Sequence, residues 1–127
     1  MNPAEEIVKF WLQQQGYFLQ SSVRAAGNKE IDILAVHNIN HDDRIHVEVS
    51  VSLRMADYKN TPQTRAQEFY EKKFNAPAVT REIEKEFGGV FKYTRRLVVG
   101  DITLQGGNKF KEFVEECEKL SIKVIHI

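Results

Sequence analysis

Two stretches of this chain are written in the period of a β-strand, and they fix most of what it can fold into. Ile45, Val47, Val49 and Val51 alternate strictly with His46, Glu48, Ser50 and Ser52, the pattern of a strand with two unlike faces. Just upstream, Glu30-Ile31-Asp32-Ile33-Leu34-Ala35-Val36 is β-branched and largely apolar, the pattern of a strand buried on both faces. An aspartate inside such a run is out of place. The polar residues 38–44 between the runs read as a hairpin loop, so the two strands are expected to pair.

The remaining elements arrange themselves around that hairpin. Ile7, Val8, Trp11 and Leu12 recur at helical spacing between Pro3 and Gln15, with Asn2 as N-cap and Gly16 as the end. Tyr17 to Val23 reads as a first strand and Ala26-Gly27-Asn28 as the turn after it. Residues 53–62 lack periodicity and form a long connection. Helices are expected over about 64–74 and 76–87, closed by Gly88-Gly89. A strand core Leu97-Val98-Val99 follows. Asn108 then caps a helix striped by Phe110, Phe113, Val114, Cys117 and Leu120, and Ile122 to Ile127 makes a last strand. The order α-β-β-β-α-α-β-α-β predicts an α/β fold, a mixed sheet of about five strands flanked by helices.

At 127 residues, 42% hydrophobic, with no repeat or low-complexity tract, the chain reads as one domain over 1–127. Eighteen Lys+Arg against eighteen Asp+Glu give zero net charge, so any polyanion site must be a local patch. The single cysteine, Cys117, excludes an internal disulfide framework and a multi-cysteine zinc site; it suits a reducing compartment, and the cytoplasm is the expected location. Residues 1–20 lack the pattern of a signal peptide, and no run reaches the 18 or so apolar residues of a membrane helix.

The chemistry concentrates on two acids. Asp32 and Glu48 lie sixteen residues apart on neighbouring strands, where hairpin pairing can set them side by side on one sheet face. Two such carboxylates repel unless something positive lies between them. Oxygen-only ligands, completed by a backbone carbonyl and waters, suit Mg²⁺ or Mn²⁺ better than zinc. An ion held there polarises a phosphoryl oxygen and acidifies a bound water, the chemistry of phosphodiester hydrolysis.

The runs "AEEIVKFWLQQQGYFLQ", "GNKEIDILAV" and "IHVEVSVS" resemble the PD-(D/E)xK nuclease superfamily, especially its restriction-endonuclease-like and Holliday-junction-resolvase-like members. The likeness covers about the first 52 residues and, more loosely, the element order of the rest. It implies a restriction-endonuclease-like fold and a Mg²⁺- or Mn²⁺-dependent endonuclease acting on DNA. It places Glu5 at the helix acid, Asp32 at the strand aspartate and Glu48 at the second acid, with the Val49 carbonyl beside them. By family analogy it also implies a homodimer, two sites addressing two strands.

This chain departs from the family at the motif lysine, which is replaced by Ser50. A cation there offsets charge in the transition state, and losing such a contributor costs on the order of 10² to 10³ in rate. Lys29, Arg54, Lys72 and Lys73 are candidates for a migrated cation, although Lys29 has the wrong strand parity relative to Asp32.

Plainer readings stand beside these. Asp32 also fits a strand-end carboxylate taking backbone hydrogen bonds, Glu48 a solvated strand face, and Glu5 or Glu6 a favourable charge in a first helical turn. His37, His41, His46 and His126 show no paired metal spacing and read as loop or surface residues. Cys117 reads as a core thiol, and Trp11, Phe110 and Phe113 as packing. Lys92, Arg95 and Arg96, interleaved with Tyr93 and joined by Arg54, Lys59 and Arg65, offer phosphate contacts or a solvated strand entry. Tyr70 and Tyr93 either stack on bases or pack.

Three functions follow. The first is a metal-dependent endonuclease-like domain cleaving DNA by metal-activated water. The second is a catalytically impaired nuclease-fold module, marked by Ser50, that binds nucleic acid or a partner protein without cleavage. The third is an interaction domain unrelated to nucleic acid, which the neutral charge favours.

Overall fold

The computed structural model describes residues 3–53, 61–89, 92–101 and 107–127. Its first helix, α1 (Pro3–Gln14), carries Glu5 and Glu6 in its opening turn, where acids favour the helix dipole, and buries Val8 and Leu12 one turn apart. Burying each of these side chains is worth roughly 1.5–3 kcal/mol. Gly16 ends the helix at φ 94°, and an added Cβ would stand 3.0 Å from the His37 ring, so this position requires glycine twice over.

Strands β1 (Tyr17–Ala25), β2 (Lys29–His37) and β3 (Arg44–Ser50) form an antiparallel meander. Helix α2 (Pro62–Phe69) is capped by the Thr61 hydroxyl, which accepts from the Thr64 N–H, and runs into a π-helical turn over Tyr70–Phe74. Helix α3 (Pro77–Glu86) follows, then β4 (Thr94–Val99), α4 (Asn108–Lys119) and β5 (Ile122–His126). Both β4 and β5 pair parallel to their neighbours, giving the order β1-β2-β3-β4-β5. Parallel pairing demands crossovers, and the helices between these strands supply them. The mixed five-stranded sheet flanked by helices matches the element order read from the sequence.

Two cores lie on the two sheet faces. Val8 and Leu12 of α1 pack on Ile33, Ala35, Ile45, Val47 and Val98. On the opposite face Phe74, Phe113 and Cys117 pack on Leu97, Val99 and Ile122, while Val79, Ile83 and Phe87 cover Leu34. Cys117 is the expected core thiol, with burial pushing its pKa up to about 12. Phe113 and Phe110 pack as expected. Trp11 does not: it is 40% exposed beside Ile7 and Phe10, because α1 turns only the Val8–Leu12 stripe to the sheet. Among the described residues no helix is long and apolar enough to cross a membrane.

Candidate functional site

The β2–β3 ladder runs outward from Val36 and Arg44 as far as the pair Ile33–Val47, and there it stops. The next pair outward is Asp32 and Glu48. In place of strand-to-strand backbone bonds, the Asp32 N–H donates to Glu48 Oε2 at 3.0 Å and the Val49 N–H donates to Asp32 Oδ2 at 2.9 Å. The strands thus fork at this point, each acid bonding the backbone of the opposite strand. A strand residue's N–H and C=O point to the same lateral side, so the Val49 carbonyl faces the fork as well. At its end β3 stays paired with β4 instead, through Val49–Val98 and Ser50–Val99.

Burial dominates the electrostatics. Glu48 is only 3% exposed, and desolvation pushes its pKa up from 4.5 to about 8. Asp32 is raised to about 6, first by desolvation and then by the Glu48 charge. Glu5 is raised too, by burial and by the charges of Asp32 and Glu30, and it raises Glu48 in turn. Glu6 instead pairs outward with Lys9 at 3.2 Å. Glu5, not its neighbour, therefore shares the field of the two strand acids.

A countercharge comes from across the crossover. Lys73, in the π-helical turn, lowers the pKa of both Asp32 and Glu48. Lys72 and Lys29 exert no comparable pull on either acid. Arg54 and Lys59 lie outside the described residues. Ser50 is half-buried at the end of β3.

Two expectations are corrected here. The face carrying His46 and Glu48 is not solvated: the helical crossover covers it, leaving His46 at 0% and Glu48 at 3% exposure. His46 is accordingly no surface histidine. Its ring packs on Phe74 at 4.9 Å between centroids and on Tyr93 at 6.4 Å, and its Nε2 lies 2.8 Å from Glu48 Oε2. Burial and the nearby Arg95 charge push its pKa down to about 3, so the imidazole is neutral. The sequence signal for this was the shared parity of His46 and Glu48; the cover over it was not written locally.

The basic residues separate. Arg95 and Arg96 pair with His46 and Val47 in the parallel ladder, so they point to opposite faces. The Arg95 guanidinium lies 5.5 Å from the Tyr70 ring centre and 5.6 Å from that of Tyr93, which gives both tyrosines a packing role. Arg96 acts on Tyr17, whose hydroxyl donates to Asp43. Both arginines border an open concavity of about 420 Å³ with Thr94, Glu118, Ser121 and Lys123, at the entry end of β4 and β5. Lys92 is exposed just before β4.

All donors at the fork are oxygens, in two carboxylates and a carbonyl, the set a hard divalent cation prefers. Among the described residues no three His, Cys, Asp or Glu side chains converge as a metal-holding group.

The sequence matches no protein-family model and no curated protein. Among solved structures the chain is similar to Pyrococcus furiosus SfsA in complex with Ca²⁺, at 16% identity and a TM-score of 0.45. The match covers 96% of this chain and 53% of that one, so the chain spans about half the length of SfsA.

Proposed function

We propose that this chain is a nuclease-like domain that holds Mg²⁺ or Mn²⁺ at the β2–β3 fork and hydrolyses phosphodiester bonds of DNA. One observation carries the reading: two carboxylates from neighbouring strands are held together, largely buried, with both pKa values raised. Burying two acids side by side costs stability and calls for a cation. Asp32, Glu48 and the Val49 carbonyl would hold the ion, and Glu5 would add negative charge behind them. A divalent ion bound there supplies the charge that polarises a phosphoryl oxygen and lowers the pKa of an attacking water. Lys73, whose charge already acts on both acids, offsets the charge that develops on the phosphate and stands in for the lysine absent at position 50. Lys92, Arg54 and Lys59 are the phosphate contacts of this reading, with Arg95 and Arg96 bordering the concavity at the far end of the sheet.

The second reading, a nuclease-fold module that binds nucleic acid or a partner without cutting it, is favoured by Ser50 alone. Supercoiled plasmid incubated with Mg²⁺ or Mn²⁺ separates the two. Wild type should nick it, while Asp32→Asn and Glu48→Gln should not. Cleavage by Ser50→Lys alone establishes the non-catalytic reading, and cleavage that survives both acid substitutions removes this site from the chemistry.

A further inference from the structure

His46 is an expensive residue where it stands. It is fully buried between Leu34, its partner on β2, and the rings of Phe74 and Tyr93. Its Nδ1 has no hydrogen-bond partner among the described residues. Burying an imidazole with one nitrogen unpaired costs free energy that a leucine or valine at the same place would not. Packing therefore does not account for it. The one polar thing the ring does is meet Glu48 Oε2 at 2.8 Å.

The direction of that bond follows from the unpaired nitrogen. A buried N–H without an acceptor is rarer in proteins than a buried lone pair without a donor. The ring proton thus belongs on Nε2, and Nδ1 is the bare nitrogen. Nε2–H then donates to Glu48 Oε2, which also accepts the Asp32 N–H at 3.0 Å. Both described bonds to this carboxylate fall on the same oxygen. Two donors from different directions, one backbone and one ring wedged by aromatic packing, fix the rotation of the carboxylate and leave Oε1 without a described hydrogen bond.

We propose that His46 is a positioning residue for Glu48, anchoring Oε2 so that Oε1 is presented to a divalent cation bound between Asp32 and Glu48. This rests on the metal-binding reading above and names what makes Glu48 a directed ligand instead of a freely rotating one. Partners of this kind, which bond a ligand and not the ion, typically change metal affinity by 10- to 100-fold.

The probe is Mn²⁺ alone, titrated calorimetrically into wild type, His46→Leu and His46→Gln. The leucine variant keeps the packing and loses the donor, so its Mn²⁺ affinity should fall by roughly 10- to 100-fold while its thermal midpoint holds or rises. The glutamine variant carries an amide N–H near the Nε2 position and should recover most of the affinity, which a purely structural role would not produce. A leucine variant that binds Mn²⁺ as tightly as wild type overturns the proposal and leaves the metal site standing. A wild type that takes up no Mn²⁺ overturns the metal-binding reading and this inference with it. Where the leucine variant does not fold, nitrogen-15 NMR of wild type decides: a proton on Nε2 with bare Nδ1 is expected, and the opposite tautomer overturns the proposal.

Discussion

Asp32 gives its backbone N–H to the Glu48 carboxylate at 3.0 Å, at the first position where the β2–β3 ladder no longer pairs backbone to backbone. The bond does two jobs. It satisfies a donor that the fork would otherwise leave bare, and it ties the second acid to the strand of the first. Because Val49 N–H returns the bond to Asp32 at 2.9 Å, each carboxylate is pinned to the main chain of the opposite strand. Geometry held this way is pre-organised for a ligand.

Replacing Glu48 with Gln tests what the fork costs. The amide keeps an oxygen for the Asp32 N–H and removes the buried charge. In chelator the Glu48→Gln protein should be at least as stable as wild type at pH 8, read by thermal or urea unfolding, and should no longer bind Mn²⁺. A large loss of stability would mean that the carboxylate is structural.

The pH dependence has a definite sign. Glu48 and Asp32 are lifted to about 8 and about 6, from 4.5 and 3.8, so the folded chain holds protons that the unfolded chain has released. Their contribution is fully present below the unfolded values and is lost as pH rises through the folded ones. His46, lowered from 6.5 to about 3, works oppositely, its contribution being lost as pH falls below 6.5. The effects oppose each other in the acid range, and above pH 6.5 Glu48 dominates. In chelator, stability should therefore fall between pH 6.5 and 8, by on the order of 1 kcal/mol per pH unit, and Glu48→Gln should flatten the slope.

Phe74 links the core to the site. It is fully buried with Leu97, Val99 and Phe113, and its ring is one wall of the His46 pocket. Phe74→Ala should cost about 3–5 kcal/mol of unfolding free energy. A change under about 1 kcal/mol would show that this wall collapses onto the cavity, as well-relaxing sites do.

The strands and the pairing of Asp32 with Glu48 were legible because period-two alternation is local: residue parity alone sets which side chains share a face. The burial of His46 and Glu48 was not legible. It depends on α2 and the π-helical turn crossing that face, a tertiary event with no trace in β3 itself. The π turn was equally hidden, since Tyr70–Phe74 has ordinary helical composition, while in the structure the Asn75 N–H donates to the Tyr70 carbonyl and Phe74 is buried in the core. Trp11 misled for the converse reason, because helical spacing gives a stripe but not its width.

That crossover also decides which cation serves the acids. Sequence left Lys72 and Lys73 equivalent, one residue apart. The π turn shifts the helical phase at this point, and only Lys73 acts on the pKa values of both Asp32 and Glu48, lowering each. In the proposed hydrolysis a cation so placed would offset negative charge in the transition state, and its removal should reduce cleavage by on the order of 10² to 10³. Lys73→Met is expected to show that loss on plasmid DNA, while Lys72→Met cuts near the wild-type rate. The same substitution withdraws a charge that favours both carboxylates, so the metal-free stability of Lys73→Met should go on falling to higher pH than that of wild type, where the Lys72→Met curve stays in place. Equal losses of cleavage in both variants, with superimposable pH curves, would assign the lysines to general phosphate attraction and leave the place of the missing motif lysine unfilled.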